Sequence, residues 1–161
     1  MDPVFKKVDY QNHGQGEDLL TLLNVYAHDP MGGGEGLTDF AKSNLLKELR
    51  KIPHAFSIIG YLGEQPVALA NCFEVFSTFK CKGIVNIHDF VVLPEQRGIG
   101  LSQKLMDAVE QEAVNRGCCK LTLEVLEGNE VARNAYVKFG FEGYELDPEA
   151  GKALFMEKEI V

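Results

Sequence analysis

The chain has 161 residues, of which 45% are hydrophobic, 25% charged and 9% aromatic. That is the length and make-up of one soluble domain, residues 1–161, with a core large enough to fold without disulfides or a structural metal. Lys and Arg number 16 and Asp and Glu 24, a formal charge of −8. This balance argues against nucleic acid or an anionic membrane as the main partner, since both require concentrated positive charge, and it leans toward neutral or cationic substrates, with plain solubility as the simple alternative.

An extended piece around Val4 to Tyr10 leads into a helical pattern from Asp18 to Ala27, with Leu19, Leu20, Leu23 and Tyr26 on one face. The stretch His28 to Gly36, H-D-P-M-G-G-G-E-G, holds Pro30 and four glycines and is expected to be irregular. Thr38 reads as the N-cap of a second helix striped by Leu45, Leu46 and Leu49, with Pro53 beyond its end. AFSIIGYL from Ala55, a turn at Gly63 to Pro66, and VALANCFEVF predict an antiparallel hairpin. Ile84 to Val92 is apolar on both sides, as befits an interior strand.

After the loop Leu93 to Gly100, Leu101, Leu105, Val109 and Ala113 recur every four residues in a helix that runs to Arg116 and stops at Gly117. Cys119 to Leu126 alternates as a strand, and Glu130 to Phe139 is a short helix closed by Gly140. Phe141 to Leu146 and Ala153 to Ile160 are expected to form a terminal hairpin around Asp147-Pro148. The order of elements implies an α/β architecture, a mixed sheet flanked by helices.

Cys72, Cys81, Cys118 and Cys119 contain no C-x-x-C, and His13, His28, His54 and His88 supply no ligand-spaced partner, so no metal site is expected. Reduced, packed thiols, a polar N-terminus and the lack of an apolar run near 18 residues predict a cytoplasmic protein with no membrane span.

The sharpest local signal is P-E-Q-R-G-I-G-L-S, Pro94 to Ser102, which joins a buried strand to an amphipathic helix. Glycines let a ligand approach the backbone, the first helical turn offers free N–H groups to an anion, and Arg97 adds a charge-assisted contact. A plain strand-to-helix turn is the simpler reading. Two other phosphate loops are excluded: Gln103 stands where the dinucleotide fingerprint needs a small residue, and no Gly-Lys-Ser/Thr occurs in the chain.

From Asn86 to Phe141 the sequence resembles the core of the GNAT acetyltransferase superfamily, whose R/Q-x-x-G-x-G/A signature reads here Arg97-Gly98-Ile99-Gly100-Leu101-Ser102, with serine at the last place. A second signature follows at the proper distance in N-E-V-A-R-N-A-Y-V-K-F-G-F: Asn129, Ala132, Tyr136, Lys138, Gly140 and Phe141. The resemblance implies a GNAT-like, mostly antiparallel sheet whose central strands splay into a V. It implies acetyl-CoA as co-substrate, with the pyrophosphate on the N–H groups of Gly98, Ile99, Gly100, Leu101 and Ser102 beside Arg97. Pantetheine would run along Phe90, Val91 and Val92 and meet Asn129, and Tyr136 would stand near the thioester sulfur. Read from the sequence alone, Asn129 also suits a helix N-cap and Tyr136 a core aromatic.

Acetyl transfer to an amine then needs a neutral nucleophile and a donor to the oxyanion, which a backbone N–H near Val91 and Val92 can supply. Tyr136 is the expected donor to the leaving sulfur; an ordinary phenol near 10 facing a thiolate near 8.5 makes full proton delivery about 2 kcal/mol uphill. His88 and Asp89, polar residues in an otherwise apolar strand, are the candidate bases, and they are equally readable as a satisfied pair. Alternation lets only one of them face the cleft unless a bulge intervenes. The connection His28 to Gly36 is expected to close as a lid over a primary amine acceptor, with a flexible connector as the alternative. The function expected is an acetyl-CoA-dependent N-acetyltransferase, with a catalytically silent CoA-binding regulatory module as the alternative and a nucleotide-binding module as a weaker one. Exposed sheet edges make a homodimer a further expectation.

Overall fold

Strand signals between Ala55 and Val92 translate directly into the middle of a sheet, seen in a computed structural model that describes residues 1–160. β1 (Val4–Lys7), β2 (Ala55–Leu62), β3 (Gln65–Ser77) and β4 (Lys82–Val92) pair antiparallel in sequence order. β5 (Lys120–Leu123) pairs with β4 in parallel at the far edge. α1 (His13–His28) and α2 (Asp39–Leu49) cover one face, α3 (Leu101–Asn115) and α4 (Glu130–Phe139) the other. This is the mixed, mostly antiparallel α/β architecture expected.

Two apolar layers fix the sheet in place. Leu19, Leu22 and Leu23 of α1 pack on Ile59, Leu69 and Val91. Leu101, Leu105, Met106, Val109 and Ala113 of α3 pack on Phe56, Ile58, Ala68, Ala70, Val85 and Ile87. Caps agree with the sequence signals: Thr38 Oγ1 accepts from Ala41 N at 3.1 Å, and Gly140 closes α4 at φ +118°.

Three expectations are corrected. α1 begins five residues before Asp18, capped by Asn12, whose Oδ1 accepts from Gln15 N at 3.0 Å. Gly16, which discourages a helix reading, is buried where a Cβ would stand 3.2 Å from Leu46 Cγ, so its smallness lets α1 and α2 close up. β5 stops at Leu123 rather than Leu126. The terminal hairpin is absent as regular structure: residues 141–160 are irregular, a backbone bond from Ala153 N to Tyr144 O at 3.4 Å spans the turn, and Leu146, Leu154, Phe155 and Met156 are exposed. Alternating apolar residues cannot hold a two-stranded ribbon without a third strand, and β5 ends too early to provide one. Among the described residues, no helix is long and apolar enough to cross a membrane, and the cysteines are free thiols, of which only Cys72 is fully buried.

Candidate active site

Parallel pairing between β4 and β5 runs from Ile84 opposite Lys120 to Ile87 opposite Leu123 and ends there. Beyond it β4 continues to Val92 while the segment after β5 leaves the sheet at Glu124, so Phe90, Val91 and Val92 have no paired strand on that side, and this gap in the ladder is the candidate opening. This is the splay the resemblance implied.

At the mouth of the opening lies the glycine loop. Gly98 and Gly100 take φ of +81° and +82°, and a Cβ built on either would meet nothing within 4 Å. Gly100 is the N-cap of α3 and carries no side chain to satisfy the helix's first N–H groups, and no acidic residue occupies that turn. The result is an open concave cradle of backbone donors at the positive end of a 15-residue helix, a fit to a pyrophosphate. Arg97 stands beside it, its Nε donating to Val92 O at 3.2 Å.

β4 carries the bulge that the sequence left open. Asn71 of β3 lies opposite Asp89 and Cys72 opposite Ile87, so His88 is the inserted residue. Val85 and Ile87 face α3 before the bulge, and Val91 faces α1 after it. An unbroken ladder would set Asp89 opposite Ala70, inside the apolar layer under α3, where a carboxylate would lose its hydration without gaining a partner; the inserted residue avoids that. Asp89 instead falls in a cross-strand row with Asn71 and Ser57 on the α1 face, where Asn71 Nδ2 donates to its Oδ2 at 3.0 Å. His88 is exposed and packs edge-on against Phe73, ring centroids 5.6 Å apart. The two candidate bases therefore have different surroundings.

Tyr136, from α4, lies edge-on to Phe90 at 5.9 Å and to Phe141 at 5.9 Å. Burial pushes its phenol up to about 12, with Tyr26 adding to the shift. Tyr26 belongs to the opposite helical layer, and its own phenol is raised first by burial and then by the carboxylates of Asp89 and Asp29. The opening thus brings together groups from both faces of the sheet. Tyr26 and Asn71 stand beside these candidates and were not singled out from the sequence. Tyr26 reads as the last member of an apolar stripe, and its only signal is a hydroxyl that a helix end must satisfy. Asn71, a lone amide in an apolar strand, carried the stronger signal. Asn129 caps α4 through Oδ1 to Ala132 N at 3.3 Å, a bond that does not use its Nδ2.

The connection after α1 is braced by its own hydrogen bonds. Asp29 Oδ1 accepts from Met31 N at 2.9 Å, its carbonyl accepts from Gly32 N and Gly34 N, and its Oδ2 lies 3.9 Å from Arg97 Nη2. A Cβ on Gly32 would strike the carbonyl of Tyr26, so close approach, rather than freedom to move, accounts for that glycine. Among the described residues no group of three His, Cys, Asp or Glu side chains is placed to hold a metal ion.

Residues 22–141 match the profile of the Acetyltransferase (GNAT) family. The chain belongs to that family. Its GNAT fold is shared with an aminoglycoside acetyltransferase from an uncultured soil metagenomic sample, solved with trehalose, at TM-score 0.79 and 13% identity over 98% of this chain and 96% of that one. A second GNAT neighbour, AAC(6')-Iy, was solved with a bisubstrate analogue, CoA-S-monomethyl-acetylneamine; its TM-score is 0.76 at 18% identity, covering 99% of this chain and all of that one. In sequence, the thialysine N-epsilon-acetyltransferase of Mus musculus is 32% identical over 68 residues, 42% of this chain. The match spans 39% of the length of that curated relative. GNAT enzymes use acetyl-CoA, and the cradle at Gly98 to Ser102 suits its pyrophosphate.

Proposed function

We propose that the protein is an acetyl-CoA-dependent N-acetyltransferase that acts on a primary amine of a small molecule or peptide by direct attack within a ternary complex. The observation that carries this reading is the gap between β4 and the segment that follows β5, which has a phosphate cradle at its mouth, Tyr136 on one side and the Asp89 carboxylate on the other. Acetyl-CoA, when bound, supplies the thioester. Gly98 to Ser102 and Arg97 hold its pyrophosphate, Phe90 to Val92 and Asn129 flank the pantetheine, and a β4 N–H near Val91 donates to the thioester oxygen, an effect typically worth about 3 kcal/mol.

Tyr136 donates a hydrogen bond to the departing sulfur. With its phenol pushed up to about 12, complete proton transfer to a thiolate near 8.5 is uphill by about 5 kcal/mol, so stabilisation of the sulfur, rather than its full protonation, is the role assigned. Asp89 receives the amine. Its carboxylate attracts the ammonium form and relays one ammonium proton to solvent; exposed His88 takes the secondary place. The neutral amine then attacks the thioester carbon, the C–S bond breaks, and the proton shed by the new amide nitrogen goes to the CoA thiolate. A lysine-like amine near 10.4 must lose its proton at a cost of about 4 kcal/mol near pH 7.4, whereas an α-amine near 7.7 is already partly neutral. The demand on Asp89 is accordingly greatest for side-chain amines, the class that the thialysine-acetylating relative uses. Asp29 and Glu35 add negative charge on the acceptor side.

An acetylation screen over thialysine, polyamines, aminoglycosides, amino acids and peptide N-termini, read as CoA release and product mass, tests the assignment. Turnover of an amine is expected. CoA binding with no transfer to any of them would instead identify a silent CoA-binding module.

A further inference from the structure

Ser57 and Asn71 are the two buried polar side chains among the described residues, exposed by 0% and 5%. They stand opposite one another in neighbouring strands, in the same row as Asp89. Ser57 Oγ donates to Asn71 Oδ1 at 2.6 Å, and Asn71 Nδ2 donates to Asp89 Oδ2 at 3.0 Å. Tyr10 Oη lies 2.8 Å from Ser57 Oγ. The serine's single proton is committed to Asn71, whose Oδ1 can only accept, so Tyr10 must be the donor in that contact. Burial holds the Tyr10 phenol above its ordinary value, which keeps that proton in place. Every donor in the row therefore points the same way, from Tyr10 through Ser57 and Asn71 to the carboxylate. A row of apolar residues would pack there at lower cost, and hydrogen bonds aligned head to tail polarise one another.

We propose that Asn71, backed by Ser57 and Tyr10, is a positioning residue that fixes the Asp89 carboxylate toward the acceptor amine. The row holds one carboxylate oxygen, Oδ2, from the neighbouring strand on the same face of the sheet and leaves Oδ1 to meet the incoming ammonium. The bulge at His88 serves the same end, because it places Asp89 in the row. This inference rests on the reading of Asp89 as the amine-facing group.

The test uses the full chain, with thialysine as acceptor and neamine and 1,4-diaminobutane alongside, in Asn71→Leu, Ser57→Ala, Tyr10→Phe, Asp89→Asn and the double variant Asp89→Asn/Asn71→Leu. Asn71→Leu is expected to raise the acceptor KM about tenfold, Ser57→Ala about threefold and Tyr10→Phe less than about twofold, with the acetyl-CoA KM unchanged in all three. In the Asp89→Asn background the Asn71→Leu effect on acceptor KM should vanish, which a loss of core packing would not produce. Ser57→Ala deletes a single hydroxyl and carries the test if Asn71→Leu does not fold. A lowered Tm with unchanged acceptor KM, or an Asn71→Leu effect that persists without Asp89, overturns the proposal. If no amine is turned over, or Asp89→Asn leaves the acceptor KM alone, the underlying reading of Asp89 has failed and the proposal falls with it.

Discussion

Arg97 Nη2 lies 3.9 Å from Asp29 Oδ2, so the loop that carries the glycine cradle is in contact with the connection between α1 and α2. Under the proposed function each residue meets a different ligand, Arg97 the pyrophosphate and Asp29 the acceptor, while in the free protein the two charges face one another. Asp29→Asn keeps the cap on Met31 and removes only the charge. A half-exposed pair of this kind is worth roughly 0.2–1 kcal/mol, so freeing Arg97 should tighten CoA binding by at most about fivefold at low salt and by less at high salt. Titration calorimetry at two ionic strengths checks this. A weaker CoA affinity in Asp29→Asn would mean that Arg97 does not meet the pyrophosphate.

Gly100→Asp should reduce CoA affinity by at least about tenfold, since it forces a side chain and a negative charge into the cradle and strains a residue at φ +82°. Gly117→Asp is the control, because Gly117 sits at φ +72° with equally open space but past the far end of α3. Both variants should lose a similar amount of Tm. Only Gly100→Asp should lose CoA, and equal CoA binding by the two would remove the phosphate from this loop.

Tyr136→Phe should cut turnover by roughly ten- to several-hundred-fold with CoA binding nearly intact. Because its phenol is pushed up to about 12, the pH dependence of kcat should show no falling limb from Tyr136 below about pH 10. A limb in that range that disappears in Tyr136→Phe would contradict the raised value.

Tyr10, Tyr26, Tyr61 and Tyr136 all have phenols raised above the ordinary value, by burial first in each. A raised folded value means that the native state keeps protons the unfolded chain has already lost. The stability they contribute is full below about pH 10 and is lost as the pH climbs toward about 12. Tm should be flat through neutral pH and fall steeply across that alkaline window, with a shallower fall in Tyr136→Phe.

Asp89→Asn should lower kcat/KM for thialysine more than for an α-amine, whereas His88→Ala, which removes an exposed ring packed on Phe73, should change either by less than about threefold. A larger loss for His88→Ala would exchange the two assignments.

Much of this was legible from spacing alone. Thr38, Gly140 and the Gly63 turn mark ends of elements through local chemistry, and α3 follows its apolar stripe. Gly98 and Gly100 were legible for the same reason, since a strand-to-helix turn with positive φ leaves few alternatives. What could not be read is whatever depends on a partner strand. The polar pair His88-Asp89 raises the question of a bulge but cannot answer it, because the residue to be inserted is chosen by what lies across from it: Ala70 in an apolar layer or Asn71 in a polar row. The tail from Phe141 failed in the same way, as its alternation says nothing about whether an edge is available.

The four-position ladder between β4 and β5 has a consequence for how this protein could be improved. Continuing that ladder past Ile87 would add backbone hydrogen bonds and bury Phe90, so substitutions that zip the strands together should be among the easiest thermal gains to select. Each would seal the slot proposed for the thioester. Heat-tolerant clones chosen without an activity screen should therefore be enriched in well-folded, inert protein, and the unmade bonds of this sheet set the ceiling on stability compatible with turnover.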